Sequence, residues 1–194
     1  MDKDSAQKIA RFLYEAGQLR RVDRSGWWVA GVDNPESVAE HSFRTAVLAG
    51  ILAKLMGADR EKVLTMALYH DIPEARINDL HKVAQRYFDC PAANVNAATD
   101  QANSLPGEIG EEMASLAREL FEETSLESRI VADADHLECL LTAKEYLQRG
   151  FPVQDWIENN LAGLHTELAR AIAIAAIEAK PTDWWKGLKI SHKS

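Results

Sequence analysis

Apolar residues return every three or four positions along most of this 194-residue chain, and no stretch alternates as a half-buried strand would. That restricts the fold to helices packed on helices: an all-α arrangement of roughly six or more, long enough to bury a core as a single domain over residues 1–194. Ile9, Phe12, Leu13, Ala16 and Leu19 mark a helix over 5–20. Ser37 with Glu40 forms a capping box, and Val38, Phe43, Ala46, Val47, Ile51 and Leu55 carry the next helix to a stop near Gly57. Asp59 caps a third, with Val63, Leu64, Ala67 and Leu68 as its apolar face and Pro73 at its end. Residues 80–88 suit a short helix. "CPAANVNAATDQANSLPG" has weak periodicity and many turn formers, and reads as a loop or irregular helix serving as a flap. Further helices are expected after Pro106, over 126–149 up to Gly150, and over 154–179 up to Pro181, with the tail from about 181 packing on the domain or on a partner subunit.

Thirty acids against 22 bases give a formal charge of -8, which repels a nucleic-acid polymer but leaves room for a small phosphorylated ligand held locally. Cys90 and Cys139 form no CxxC pair, so a reducing, cytoplasmic setting is expected rather than a disulfide framework. "MDKDSAQKIARF" lacks the apolar run of a signal peptide, and no segment approaches eighteen apolar residues, so no membrane association is expected.

The chemistry gathers where burial should dominate. "ALYHDIPEARINDL" puts His70 and Asp71 in the last turn of an apolar helix, His41 sits in the first turn of another, and Asp133 and Asp135 interrupt the apolar run "RIVADADHLECLL". A lone histidine there can serve the helix dipole, and a lone aspartate can cap or pair with arginine. Several buried carboxylates would instead cost several kcal/mol without a partner, and a cation shared by three helices is a natural one.

Taken in order, His41, the doublet His70–Asp71 and a distant acid resemble the HD-domain superfamily of metal-dependent phosphohydrolases, and most closely its 5'-deoxynucleotidases. The resemblance covers most of the chain, through "PESVAEHSFR", "HDIPEARINDL" and "ADHLECLLTAKEY". It implies a compact multi-helix HD-domain fold with the metal site between helices, and His41, His70, Asp71 and Asp135 as ligands. Helical spacing alone favours Asp133, nearer the face of Ile130, Ala134, Leu137 and Leu141; the choice of Asp135 comes from the family pattern. Two imidazoles and two carboxylates suit Mn, Co, Fe, Ni or Zn rather than Ca. Two-metal HD phosphodiesterases add histidines between the doublet and the last aspartate, and residues 82–134 hold none, so one metal per chain is expected. His81, His136, His165 and His192 are read as packing or surface residues.

The same resemblance makes Glu74, in "HDIPE", the catalytic base, although an acid beside Pro73 is also an ordinary helix start. Asp79 matches an acid that contacts the nucleotide sugar; by itself "NDL" reads as a cap. In "RSGWW", Arg24 offers a fork of donors to phosphate, and a tryptophan, Trp27 or Trp28, packs on the sugar. Trp27 is the one carried forward as a substrate contact, excluding a ribose hydroxyl if its ring crowds C2'. Some family members have this arginine and tryptophan adjacent, whereas Ser25 and Gly26 separate them here.

The expected function is hydrolysis of the 5'-phosphate of deoxyribonucleoside monophosphates to nucleoside and phosphate, by a water whose pKa a metal lowers toward roughly 7. Two alternatives stand beside it. One is an HD hydrolase of a nucleoside triphosphate or cyclic nucleotide, for which the cations near the motifs, Arg24, Arg44, Arg76 and Lys82, are few. The other is a non-catalytic, metal-stabilised helical interaction module. Trp156, Trp184 and Trp185 would cover the core or an interface, and the resemblance implies a homodimer.

Overall fold

The computed structural model describes residues 1–188; residues 189–194, His192 included, lie outside it. Among the described residues the only β pairing is one isolated bridge, Asp23 to Ser37, so the architecture is all-helical. In chain order the helices are α1 (Lys3–Ala16), α2 (Gly26–Val29), α3 (Val38–Met56), α4 (Arg60–Tyr69), α5 (Glu74–Ile77) and α6 (Lys82–Gln85). They are followed by α7 (Cys90–Asn103), α8 (Gly107–Glu122), α9 (Leu126–Gln148), α10 (Gln154–Gly163) and α11 (Glu167–Glu178). None is long and apolar enough to cross a membrane.

Local chemistry sets the ends of the two helices that frame the site. Ser37 Oγ accepts from the Glu40 backbone N–H at 3.3 Å while Glu40 Oε2 accepts from the Ser37 N–H at 2.7 Å, starting α3. At its other end Gly57 adopts the left-handed region at φ 71°, where a Cβ would be strained, and Asp59 then caps α4 by accepting from the Lys62 N–H. The long α9 runs through the middle and packs against α3, α4, α8, α10 and α11, burying Ile130, Val131, Ala134, Leu137 and Leu140. A second cluster, around Phe12, Leu19, Val38, Ile72 and Met113, sits beneath α1 and α8, and Tyr69 touches both.

Three expectations are corrected. The segment read as a loop or flap is the regular helix α7: Asp89 caps it, Pro91 occupies its first turn, and it buries Ala97, Ala98 and Ala102, whose small side chains register weakly as periodicity. The single helix expected over 154–179 is two, broken at Leu164–Thr166, where Thr166 caps α11. The apolar set assigned to α3 splits: Val38 and Ala46 face the core, with Ala49, Leu52 and Ala53, whereas Phe43, Val47, Ile51 and Leu55 face outward. In the single chain Trp156 packs against the core, while Trp184 and Trp185 are exposed.

Candidate metal centre and active site

The capping box places His41 one turn into α3, facing inward and fully buried. Its Nδ1–H donates to Glu138 Oε2 at 2.5 Å, and Glu138 Oε1 accepts from Arg44 Nε at 2.9 Å and Thr142 Oγ1 at 3.0 Å. Burial opposes a charge on Glu138, but the bonds from His41 and Arg44 outweigh it and hold the carboxyl below its ordinary value. With Nδ1 committed, Nε2 faces the site. It lies 3.1 Å from Asp135 Oδ1, 3.4 Å from His70 Nε2 and 3.5 Å from Asp71 Oδ2. Burial and Arg24 press the His41 pKa down, yet Asp135 and Glu138 prevail and raise it to about 10.

His70 is oriented by backbone instead. It ends α4, its Nδ1–H donates to the Ala67 carbonyl at 2.7 Å, and its Nε2 lies 3.2 Å from Asp71 Oδ2. Asp71 Oδ2 and Glu74 Oε2 are buried and have no hydrogen-bond partner. Orphaned carboxylate oxygens of this kind are costly in a dry site. Burial first, and then the charges of Asp71 and Asp79, push the Glu74 carboxyl up to about 10. A divalent cation suits what is left open: His41 and His70, each with its other ring nitrogen engaged, and Asp71 bring ligand atoms from α3 and the end of α4 within 4.8 Å of one another, and Asp135 of α9 reaches this group at His41.

The two aspartates of α9 have different tasks. Asp135 Oδ1 joins the cluster. Asp133 is fully buried on another side, where its oxygens accept from the His165 N–H at 2.6 Å, the Thr166 N–H at 3.0 Å and Thr166 Oγ1 at 2.6 Å, pinning the start of α11. Helical spacing favoured Asp133, which the structure turns away from His41 and His70.

Arg24 packs among the acids, its guanidinium 3.7 Å from Asp71, 3.8 Å from Asp135 and 3.9 Å from Asp79. Its loop is tied at both ends: the Arg24 N–H donates to Glu36 O at 3.0 Å, the Ser25 N–H to Asp79 Oδ2 at 2.6 Å, and Ser25 Oγ–H to Asp79 O at 2.7 Å. Asp79 is therefore no helix cap; His81 caps α6. Trp27 requires a correction. It is 2% exposed, its Nε1–H donates to Glu36 at 3.2 Å, and its ring packs edge-on to Tyr146 and stacks on Trp156, so it belongs to the core and not to the wall of the site. Trp28, half exposed, turns outward.

Beside this cluster lies a cavity of about 870 Å³, with His70, Asp71, Glu74 and Asp135 at one side. α7 and α8 supply further wall, including Asn94, Val95, Met113 and Phe121. The network of Glu138, Arg44, Thr142 and Glu36 behind His41 escaped the sequence reading. Its signal was an acid, Glu138, inside an apolar run and three residues from Asp135. Glu36, His41 and Glu138 also converge closely, but Arg44, Thr142 and Trp27 already satisfy those carboxylates by hydrogen bonds. Away from the site, His136 bonds to Asn160 and His165 faces Glu123.

A family model described as "HD domain" matches residues 16–173. The 5'-deoxynucleotidase HDDC2 of Dictyostelium discoideum is 30% identical over 84% of this chain and 93% of its own length. The human 5'-deoxynucleotidase HDDC2 is 30% identical over 73% of this chain and 69% of its own. Among solved structures, a conserved hypothetical protein from Pyrococcus furiosus superposes with a TM-score of 0.73 at 32% identity, covering 87% of this chain and 98% of that one.

Proposed function

Because the chain belongs to the HD-domain phosphohydrolases, we propose that it is a metal-dependent 5'-deoxynucleotidase, hydrolysing the 5'-phosphate of deoxyribonucleoside monophosphates. One divalent transition metal per chain is held by His41, His70, Asp71 and Asp135. A single arrangement carries the reading: His70, Asp71, Asp135 and an unpaired Glu74 oxygen line one side of a nucleotide-sized cavity, with His41 and Arg24 packed against those acids.

A cation at those donors would acidify a water and neutralise phosphate charge. The charge of a cation held there would bring Glu74 back to its carboxylate form, in which it accepts the proton of the attacking water, and Arg24 receives phosphate oxygens through its fork of donors. Asp79, by gripping Ser25, aims Arg24 from below. The cation inventory supports a monophosphate over a triphosphate. Arg44 is taken up by Glu138 and Glu145, Arg76 by Glu15, and Lys82 is exposed, which leaves Arg24 beside the acids of the site and Arg118 in the cavity wall, few cations for three phosphates. The preference for a deoxy sugar rests on the activity named for the relatives, since Trp27 is buried.

The test is phosphate release from deoxy- and ribonucleoside mono-, di- and triphosphates, with each divalent metal added back to chelator-treated protein. Deoxyribonucleoside monophosphates should be the best substrates, and Glu74→Gln should lower turnover by about 10²–10⁴-fold with metal content unchanged. Preferred turnover of triphosphates would overturn the substrate class, and undiminished turnover by the variant would remove Glu74 from the chemistry.

A further inference from the structure

Glu74 stands on a turn that cannot hold itself. α5 is four residues long, with no side-chain cap at Pro73 and none of its residues fully buried. So short a helix has too few hydrogen bonds to persist without outside support. The chain leaves it through Asn78 at φ 61° and ψ 163°, a region suited to glycine and strained for a residue with a side chain. The aim of the Glu74 carboxyl is therefore set by whatever grips residues 72–77 from elsewhere in the chain.

Side chains from three helices supply that grip. Gln101, on α7, is fully buried, and its Nε2 donates to the Ile72 carbonyl at 3.0 Å and to Glu15 Oε1 at 2.7 Å. The same carbonyl accepts from the Ala75 N–H at 3.0 Å, the bond that shapes the turn over Pro73 and Glu74. Glu15, in the last turn of α1, accepts from Arg76 Nε at 2.5 Å and from Arg76 Nη2 at 3.0 Å. With the chain from Ile72 to Arg76, these bonds close a circuit whose backbone arc carries Glu74 at its middle. The Arg76 fork, joined by Gln101 against the opposing effect of burial, holds the Glu15 carboxyl below its ordinary value, so the shared acceptor stays charged and its bonds strong. Both partners of Gln101 are acceptors, which fixes its amide with the NH2 group toward them. Its Oε1 is left buried with no partner. A methionine would fill similar space without that orphan, so packing does not account for a glutamine here, whereas the two donated bonds do. His70, aimed by Ala67, and Asp71 both precede the circuit.

We propose that Gln101 is a positioning residue for the hydrolysis: through the circuit with Glu15 and Arg76 it holds the turn that aims Glu74 at the attacking water. The assignment rests on the reading of Glu74 as the base, and amide hydrogen exchange on the metal-free chain tests the circuit apart from that reading. Gln101→Met should speed exchange at the N–H groups of residues 75–78 by about tenfold or more and leave those of α4 and α9 unchanged. In phosphate release with metal restored, it should lower kcat by about 10–100-fold, the effect of a misplaced base, with KM and metal affinity within about twofold of the parent. Gln101→Lys, which keeps a donor and has no acceptor to orphan, should recover most of the lost kcat. On a Glu74→Gln background Gln101→Met should lower turnover little further, since no base is left to aim, whereas a residue that merely packs would add its full effect. Arg76→Met, at the open side of the circuit, should reproduce the loss of kcat and carries the test where Gln101→Met fails to fold. Unchanged exchange at residues 75–78, a fully additive loss, or a folded Gln101→Lys as slow as Gln101→Met would overturn the assignment. Undiminished turnover by Glu74→Gln would instead overturn the base itself.

Discussion

Replacing Asp133 and Asp135 by alanine, one at a time, should separate a structural carboxylate from the proposed ligand two residues away. Asp133→Ala strips three donors, the N–H groups of His165 and Thr166 and the Thr166 hydroxyl, of a buried acceptor. Each unsatisfied group costs about 1–3 kcal/mol, moderated where water can reach the break between α10 and α11. A total of about 3–5 kcal/mol corresponds, at roughly 2–4 °C per kcal/mol for a domain of this size, to a Tm lowered by about 10 °C. Asp135→Ala instead gives up contacts with His41 and Arg24 at a side chain that is 41% exposed, so the metal-free Tm should fall by less than in Asp133→Ala. The assay is thermal unfolding in chelator and again with excess divalent metal. At a hundredfold excess over Kd, binding adds about 2.7 kcal/mol of stability; the parent and Asp133→Ala should show that rise, and Asp135→Ala should not. If Asp133→Ala melts with the parent and loses the metal response while Asp135→Ala keeps it, the division of labour on α9 is the reverse of the one described.

Glu138→Gln should weaken metal binding about 10–100-fold in a chelator competition, because His41 loses the anion that fixes its ring, while Glu74 and Arg24 stay in place; unchanged affinity would reduce Glu138 to a packing residue. Metal affinity should also rise with pH. The metal-free His41 pKa is raised to about 10, so at pH 7 the cation must displace its Nε2 proton, and apparent affinity should climb by up to about tenfold per pH unit for each proton released, flattening only near pH 10. A flat profile between pH 6.5 and 8.5 would exclude His41 from the ligand set.

Features written in a few neighbouring residues could be read directly. The Ser37–Glu40 box, the Asp59 cap and the courses of α3, α4, α8 and α9 depend on contacts within one turn, and so does the placement of His41 and His70 at helix ends. What could not be read is decided from far along the chain. Asp133 and Asp135 differ only in that one meets residues 165 and 166, the same contact that splits the helix expected over 154–179. Trp27 sits in a loop by sequence, yet Tyr146 and Trp156 close over it. α3 carries apolar residues on two sides, and only the arrival of α9 and α4 chooses the buried one. α7 stayed hidden because alanine contributes little to a periodic signal while fitting well against a neighbouring helix.

The two imidazoles of the site are steadied in unlike ways. His70 leans on a main-chain carbonyl that every sequence possesses, so its aim comes with the helix. His41 leans on a relay of side chains, Glu138 to Arg44 to Glu145, that ends in solvent. Surface substitutions along that relay can therefore retune how firmly the ion is gripped without disturbing a single ligand, which gives evolution, or an engineer, an adjustment screw on the outside of a buried centre.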